Sequence, residues 1–430
     1  MKNRIILFFF VVLSITTFAQ TKSVITSPPL TEGVPQKEGI SKQRLELIGD
    51  MLEQSIEKNE IPGAVALVAR NGKIVYHKAF GYADNEKGRK LKNDYIFRIA
   101  SQTKAITSTA VMMLWETGKF RLDDPISKYI PEFKNPQVLD TFNEKDSTYT
   151  TKPADKEISI RHLLSHTSGI GYGMIDDDTF RKIYQKAGII DAFTTEPVTI
   201  EENIKKLAKL PLHFNPGEKY HYSEGLDVLG YFIEIISGKP LDMFFKEHIF
   251  DPLGMKDTHF YLPDSKTRRL VVVQTKKDGK WIKYPGSPYF DQDYPVKGAK
   301  TYFAGGAGLS STAKDYATFL QMYLNNGELN GVRLLSRTTV QFIMANQIGD
   351  LWGDSGAYYG LAFGVLDQKG QDMGGRGSVG TFDWGGYFNT SYFADPKEKI
   401  IGVLLKQTMD IGNDETGWKF RQLVWPAIDD

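Results

Sequence analysis

The chain has 430 residues, 41% of them hydrophobic, with 53 basic against 52 acidic side chains and a formal net charge of +1. That length supports a large core, or two sub-domains sharing one. The absence of cysteine excludes disulfides, thiolate zinc sites, iron–sulfur clusters and cysteine nucleophiles. The lack of a long basic run or an Arg-rich aromatic segment argues against nucleic acid as a partner.

The N-terminus reads "MKNRIILFFFVVLSITTFAQ": Lys2 and Arg4, an apolar run from Ile5 to Ile15, then Thr17 and Ala19 placed for cleavage after Ala19. This pattern predicts a secretory signal peptide over residues 1–19. The run is short for a membrane anchor, which needs about 20 apolar residues. No cysteine is available for a lipoprotein, and no later segment is a candidate span, so the mature protein is expected to be exported, with no stable membrane anchor.

Residues 20–38 are Thr-, Ser- and Pro-rich as far as Gln36 and are expected to form a loose linker. A helix is expected from Ser41 to Lys58. "GAVALVARNGKIVYHKAFGYAD" reads as a hairpin, with Asn71-Gly72 suited to a type I′ turn. A helix then carries Ala105, Ile106, Met112 and Met113 at helical spacing, with Gly118 at its stop. From about Leu122 to Tyr302, helical patterns such as Ile200, Ile204, Leu207 and Leu210 alternate with polar loops, and Asn135 to Lys156 reads as a surface excursion. After Gly305 the strand signal returns in "YGLAFGVLD", "FDWGGYFNTSYFA" and "KIIGVLLKQ". A closing helix spans about Thr416 to Ala427, with Phe420, Leu423 and Val424 on one face.

This order predicts an α/β (α+β) fold: an antiparallel sheet flanked by helices, with an inserted, mostly helical domain. The catalytic domain is expected over residues 39–430. Its sheet part takes about 39–121 and 303–430, and the insertion about 122–302.

Ser-x-x-Lys occurs three times, at Ser55/Lys58, Ser101/Lys104 and Ser311/Lys314. The first lies on a charged amphipathic helix. The third sits where Thr312 and Asp315 form a capping pattern. Ser101 follows an extended "YIFRIA" and opens a largely apolar helix. Unpaired N–H groups and the positive end of the dipole there favour a developing oxyanion. Lysine at i+3 shares the serine's face, and a buried lysine can act as a base. The plain alternative is a serine cap with Lys104 in water. Tyr222, just before an amphipathic helix, is a candidate proton relay, or a core aromatic. Gly385-Gly386 interrupt a strand, which suits either a bulge or a close approach to the backbone, such as a substrate carbonyl on the Tyr387 N–H.

Several ordered stretches together resemble the serine β-lactamase and penicillin-binding DD-peptidase superfamily, and more closely its class C β-lactamase-related hydrolases and esterases. They are "PGAVALVARNGKIVYHKAFGYAD", "FRIASQTKAIT", "GKFRLDDPISKYIPEF", "ISIRHLLSHTSGI", "PGEKYHYSEGLDVLGYFIE", "GGAGLSSTAKDYATF" and "WGGYFNTSYFADPKEKIIGVLLKQ". The resemblance covers nearly everything after Gly39. It implies Ser101 as acylated nucleophile, Lys104 as its activator and Tyr222 as proton shuttle. It also implies an oxyanion hole from the N–H groups of Ser101 and Tyr387.

Two positions depart from the family's pattern. Glu224 stands where the Tyr-x-Asn motif has Asn, which alters substrate hydrogen bonding or adds charge near Lys104. Trp384, with Gly385 and Gly386, replaces the Lys-Thr-Gly motif, whose cation helps hold a substrate carboxylate. An apolar wall is expected there, as in related Trp-Gly-Gly esterases, with Arg376 or Lys406 as candidate substitutes for the cation. Glu224, Trp384, Gly385 and Gly386 are therefore the candidate substrate-binding residues.

Other motifs are set aside. "GDSG" at 353–356 reads as a turn, and "GRGSVG" at 375–380 neither follows a buried strand nor opens a helix, so no dinucleotide cofactor is expected. His162 and His166 lack the glutamate of a zinc-protease motif, and no metal is expected. Asp176-Asp177-Asp178 suits a cation, or more simply a solvated loop or helix start. The expected function is a secreted serine hydrolase acting on small ester or peptide substrates, possible cell-wall fragments among them. Esterase or peptidase activity is favoured over strong β-lactamase activity. A non-catalytic peptide- or cell-wall-binding module on the same fold is the alternative, and Glu224 is its main support.

Overall fold

The computed structural model describes residues 22–287, 290–412 and 414–430. The signal-peptide reading of residues 1–19 lies outside the described residues. Among those described, no helix is long and apolar enough to cross a membrane.

Helix α1 (Lys42–Glu57) begins where Ser41 Oγ accepts from the Arg44 N–H. The hairpin follows as strands β1 (Gly63–Arg70) and β2 (Lys73–Asp84). Both turn residues take positive φ, 52° at Asn71 and 77° at Gly72, as a type I′ turn requires. Helix α2 (Thr103–Trp115) comes next.

The chain then leaves the sheet. An exposed hairpin, β3 (Gln137–Asn143) with β4 (Thr148–Pro153), occupies the polar excursion. Helices α3 (Ile160–Leu164), α4 (Asp178–Ala187), α5 (Ile200–Leu207) and α6 (Gly225–Ser237) follow. A second small hairpin pairs Gln274–Lys277 with Lys280–Lys283. Helix α7 (Ala313–Leu324) returns the chain to the sheet, with Thr312 Oγ1 accepting from the Asp315 N–H at 3.1 Å.

The last strands are β5 (Ala357–Tyr359), β6 (Gly364–Leu366), β7 (Phe382–Gly386), β8 (Thr390–Asp395) and β9 (Ile400–Leu405), and helix α8 (Thr416–Val424) closes the chain. Along the sheet the order is β2-β1-β9-β8-β7-β6-β5, with every one of these neighbours antiparallel, so the two ends of the chain meet at the β1–β9 pair. Strand alternation splits the core. On one face Ala64, Ala66, Val68 and Leu404 pack with Leu45, Ile48 and Leu52 of α1 and Phe420 and Val424 of α8. On the other, Val65, Leu67, Val403 and Leu405 join Ile106 and Ala110 of α2 and Phe319 and Leu320 of α7. Each such fully buried Leu, Ile or Phe contributes about 1.5–3 kcal/mol. The sheet is thereby clamped from both sides, and α2 has a rigid bed.

Three local expectations change. "YGLAFGVLD" is two short strands, because Ala362 turns the chain at φ 69°. "FDWGGYFNTSYFA" is also two strands, β7 and β8, hinged at Asn389, which has φ 68° and donates its N–H to the Gly386 carbonyl. The segment expected as a loose linker lies against the domain from Lys22 onward. Leu30 enters the core, and Thr31–Glu32 pair parallel with Lys73–Ile74. Ser27 supplies donors to the fully buried Glu328 carboxylate, which would otherwise be costly to bury.

Candidate active site

Ser101 sits in a single 3-10 turn, Ala100–Gln102, immediately before α2. Ala100 holds φ 43°, a left-handed conformation that costs a non-glycine residue about 1–2 kcal/mol. The surroundings over-determine this strained turn. The Ile99 N–H donates to the Leu309 carbonyl at 3.0 Å, and Thr103 Oγ1 accepts from the Leu309 N–H at 3.1 Å. Tyr316 Oη donates to the Gln102 carbonyl at 3.0 Å. Strand β7 presses on the same turn from the other side: a Cβ on Gly386 would overlap the Ile99 carbonyl oxygen. Gly386 therefore allows a close backbone approach, which brings the chain entering Tyr387 beside Ser101. The Tyr387 ring is 40% exposed and stacks on Phe193 at 6.1 Å.

Lys104, in the first turn of α2, is 1% exposed, and its Nζ donates to the Gly306 carbonyl at 2.9 Å. Thr107, one turn further on, bonds the Gly305 carbonyl. Asp227 of α6 reaches the same segment from the other side, with Oδ1 accepting from the Gly306 N–H at 3.0 Å. Side chains on Gly305 or Gly306 would collide with the Leu226 carbonyl or the Asp227 carboxyl. Glycine is thus required where this strip threads between α2 and α6. Burial pushes the Asp227 carboxyl up to about 6, with the Lys104 charge opposing.

Tyr222 lies against Lys104, whose Nζ is 4.6 Å from the Tyr222 ring centre and 5.0 Å from that of Tyr172. Tyr172, Tyr222, Trp384 and Trp352 form a row of stacked rings, at 5.8, 5.7 and 6.1 Å between successive centroids. Trp384 Nε1 donates a long bond, 3.4 Å, to Tyr222 Oη. Trp384 is thus part of this aromatic row and also touches the phenol oxygen. Lys406 is no substitute for the missing cation: it is buried in an ion pair with Asp414 and bonded to Thr416. The Arg376 carbonyl is held by Arg421 of α8, which also pairs with Asp383.

Sequence reading missed the ring beneath Tyr222. His166, expected as structural, is fully buried, with its ring 4.5 Å from that of Tyr222. The Ser223 N–H donates to its Nδ1 at 3.1 Å, which places the ring proton on Nε2. Burial and then the Lys104 charge hold the imidazole well below its usual range, so it is neutral. His162 caps α3 reciprocally with Ser159.

The Asp176–Asp178 run divides its labour. Asp177 caps α4. Asp176 is buried and accepts from His213 Nε2 at 3.3 Å, His221 Nε2 at 2.8 Å and the Tyr172 N–H at 2.7 Å. Its carboxyl feels burial, but the two imidazoles outweigh that and hold it well below the usual range. Ligand atoms of Asp176, His213 and His221 lie within 4.8 Å of one another, a donor set that suits a transition metal. Each imidazole faces its own carboxylate oxygen, so the trio also stands alone as a bracket around the loop leading to Tyr222.

Glu224 caps α6 with its backbone, while its side chain is turned inward and 1% exposed. It meets Asp191. Burial and then the Asp191 charge push Glu224 well above the usual carboxylate range, and burial raises Asp191 as well. The position that the resemblance gives to a carboxamide is thus held by a carboxyl group whose burial and acidic neighbour favour its protonated form. The remaining motifs behave as read: "GDSG" is a turn with positive φ at Gly353 and Gly356, and "GRGSVG" links the short helix Gln368–Asp372 to β7.

Comparison with known proteins agrees with this architecture. The Beta-lactamase family profile matches residues 48–424. The esterase EstB of Burkholderia gladioli is 31% identical over 371 residues, 83% of this chain and 89% of the esterase. A putative D-alanyl-D-alanine carboxypeptidase of Escherichia coli O157:H7 is 27% identical over 414 residues, 91% of this chain and 89% of that protein. Among solved structures, EstCE1, a hydrolase with promiscuous acyltransferase activity, superposes with a TM-score of 0.76 at 28% identity, over 89% of this chain and 99% of that one. The chain belongs to the β-lactamase family and is a serine hydrolase of it.

Proposed function

We propose that the protein is an exported serine hydrolase that cleaves small esters, and peptide-like amides more slowly, through an acyl-enzyme on Ser101. The observation that carries this reading is the burial of Lys104 between α2, the Gly306 carbonyl and the Tyr222 ring, one helical turn from Ser101. A lysine so enclosed has a stem fixed by packing and an amine whose neighbours are the groups that must trade protons with the serine.

In the proposed reaction Ser101 Oγ attacks the substrate carbonyl carbon. Its proton passes to the Lys104–Tyr222 cluster, within which protons are shared. The N–H groups of Ser101 and Tyr387 hold the oxyanion, and the strained Ala100 turn keeps them aimed at it. Tyr222 returns the proton to the departing alcohol or amine as the carbonyl reforms. Water then attacks the ester carbonyl on Ser101 and gives a proton to the same cluster, which passes it to Ser101 Oγ as the acyl–oxygen bond breaks and the acid leaves. The aromatic row, and the burial of Lys406 in its ion pair with Asp414, suit uncharged acyl groups. The EstB and EstCE1 relatives favour esters, and the carboxypeptidase relative supports amides as a second class. Export rests on the leader pattern of residues 1–19.

Intact-protein mass after treatment with a fluorophosphonate probe tests the reading. One adduct on the wild type and none on Ser101→Ala is expected. Adducts on both proteins would mean another serine is the nucleophile, and none on either would end the acyl-enzyme proposal.

A further inference from the structure

The loop between α5 and α6 contains "HFNPGEKYH", residues 213–221, and turns back on itself at Pro216-Gly217, with Gly217 at φ 84°. Three backbone bonds lay it along residues 166–169. The His213 N–H donates to the Gly169 carbonyl at 2.8 Å, the Gly217 N–H to Thr167 at 2.6 Å and the His221 N–H to His166 at 2.8 Å. The turn thereby brings the rings of His213 and His221 to 4.2 Å between centres. Asp176 reaches them from the facing loop, where its own N–H donates to the Tyr172 carbonyl at 3.0 Å. The three side chains are thus placed by backbone that is fixed independently of them.

Hydrogen bonding accounts unevenly for this convergence. His221 Nε2 makes a full bond to Asp176 Oδ1 at 2.8 Å. Oδ2 already accepts from the Tyr172 N–H at 2.7 Å, and His213 Nε2 stands 3.3 Å away, beyond the usual range for such a bond. Ligand atoms at about 2.0–2.1 Å from a tetrahedral zinc are about 3.3 Å apart, the length of that edge. Gly171 supplies a second observation. A Cβ there would overlap Asp176 Oδ2 and stand 2.6 Å from His213 Nε2. Its φ is not left-handed, so the backbone conformation does not call for glycine. Glycine instead lets the two ligand atoms close on each other where a side chain would part them. The site opens on its imidazole side: the His221 side chain is 33% exposed and that of His213 12%, against 1% for Asp176.

We propose that Asp176, His213 and His221 bind one divalent transition-metal ion, with zinc the simplest case, and that this ion pins the two loops that carry Tyr172 and Tyr222. Two imidazoles and one carboxylate form a zinc-type donor set, whereas calcium and magnesium take oxygen ligands. Each neutral imidazole presents its Nε2 lone pair to the ion and carries its proton on Nδ1. Two N–H···O bonds are exchanged for three metal–ligand bonds, and water completes the coordination. The ion's part is positional. His221 directly precedes Tyr222, and Asp176 holds the N–H of Tyr172, whose ring stacks on Tyr222 at 5.8 Å. One ion therefore ties together the backbone on both sides of that ring pair. The site stands whether or not Ser101 is the nucleophile.

Zinc titration of tag-free protein, first stripped with a chelator, tests the site by native mass spectrometry and peptide-resolved amide exchange. One ion per chain, held with micromolar or tighter affinity, is expected. Exchange is expected to slow in the peptides over residues 169–176 and 213–222. His213→Ala and His221→Ala are each expected to weaken zinc binding at least about tenfold and to abolish that slowing. His221 is partly exposed, so its variant is the one expected to fold without loss. Should neither variant fold, the exchange map of the wild type decides. No bound zinc, or zinc held equally well by both variants, overturns the site, and the trio is then a hydrogen-bonded bracket only. Zinc bound with no slowing in either segment places the ion elsewhere and overturns it too.

Discussion

Lys104 Nζ and the ring of Tyr222 are 4.6 Å apart, centre to charge, inside a site that buries the lysine completely enough to leave it 1% exposed. Two residues 118 positions apart in sequence thus share one electrostatic environment, with His166 packed under the ring and kept neutral. Any role for one of them in moving the Ser101 proton involves the other.

Lys104→Met and Tyr222→Phe are each expected to lower kcat/KM for a neutral ester by about 10²–10⁴. The double variant is expected to lose no more than the worse single variant, because members of one proton-sharing unit fail together. Steady-state kinetics on all three proteins decide this. Multiplying losses would show that the residues act independently.

The close approach of β7 to the Ser101 turn leaves no room at Gly386. Gly386→Ala is expected to push the strand off the Ile99 carbonyl and misplace the Tyr387 N–H, lowering kcat by about 10²–10³, the range for losing one oxyanion donor. Ala is a tolerable strand residue, so the melting temperature is expected to move far less than the rate. Unchanged kcat would remove Tyr387 from the oxyanion hole.

Asp227 makes stability depend on pH in a stated direction. Its carboxyl is raised from 3.8 to about 6 by burial, so the folded state holds the proton more tightly than the unfolded chain. That stabilisation is complete below about pH 4 and is lost as pH rises through about 6. The shift corresponds to about 3 kcal/mol at about 1.4 kcal/mol per unit. Asp227→Asn cannot titrate but keeps an oxygen for the Gly306 N–H. Relative to wild type, it is therefore expected to gain about 2–3 kcal/mol of stability between pH 4 and pH 7, read from denaturant midpoints. A difference that is flat with pH would contradict the assignment.

Trp384 does more than line the cleft. Trp384→Phe keeps the stacked row but deletes the Nε1 donor to Tyr222 Oη. A bond of 3.4 Å lies at the weak end, about 0.5–1 kcal/mol, so kcat is expected to drop about two- to fivefold. KM for small neutral esters should hardly move. A loss confined to KM would mean the indole serves substrate packing alone.

Much of this protein is local and was therefore readable from its sequence. The Ser41 and Thr312 caps, the Asn71-Gly72 turn and the apolar period of α2 depend on neighbours a few residues away. The ordered family motifs located Ser101, Lys104, Tyr222 and the Trp384 strip. What tertiary structure alone decided is which polar groups face one another in a dry interior. Asp227 shares the apolar run "GLDVLGYFIEII" with Glu234, and only the packing of α6 on α2 aims it at Gly306. Glu224 looked like an added charge. Burial, and then the Asp191 that the fold seats against it, raise its carboxyl well above the usual range. Lys406 looked like a spare cation until the approach to α8 supplied Asp414. Charge state and hydrogen-bond partner are set by solvent exclusion and long-range contact, and neither is encoded in residue type or spacing.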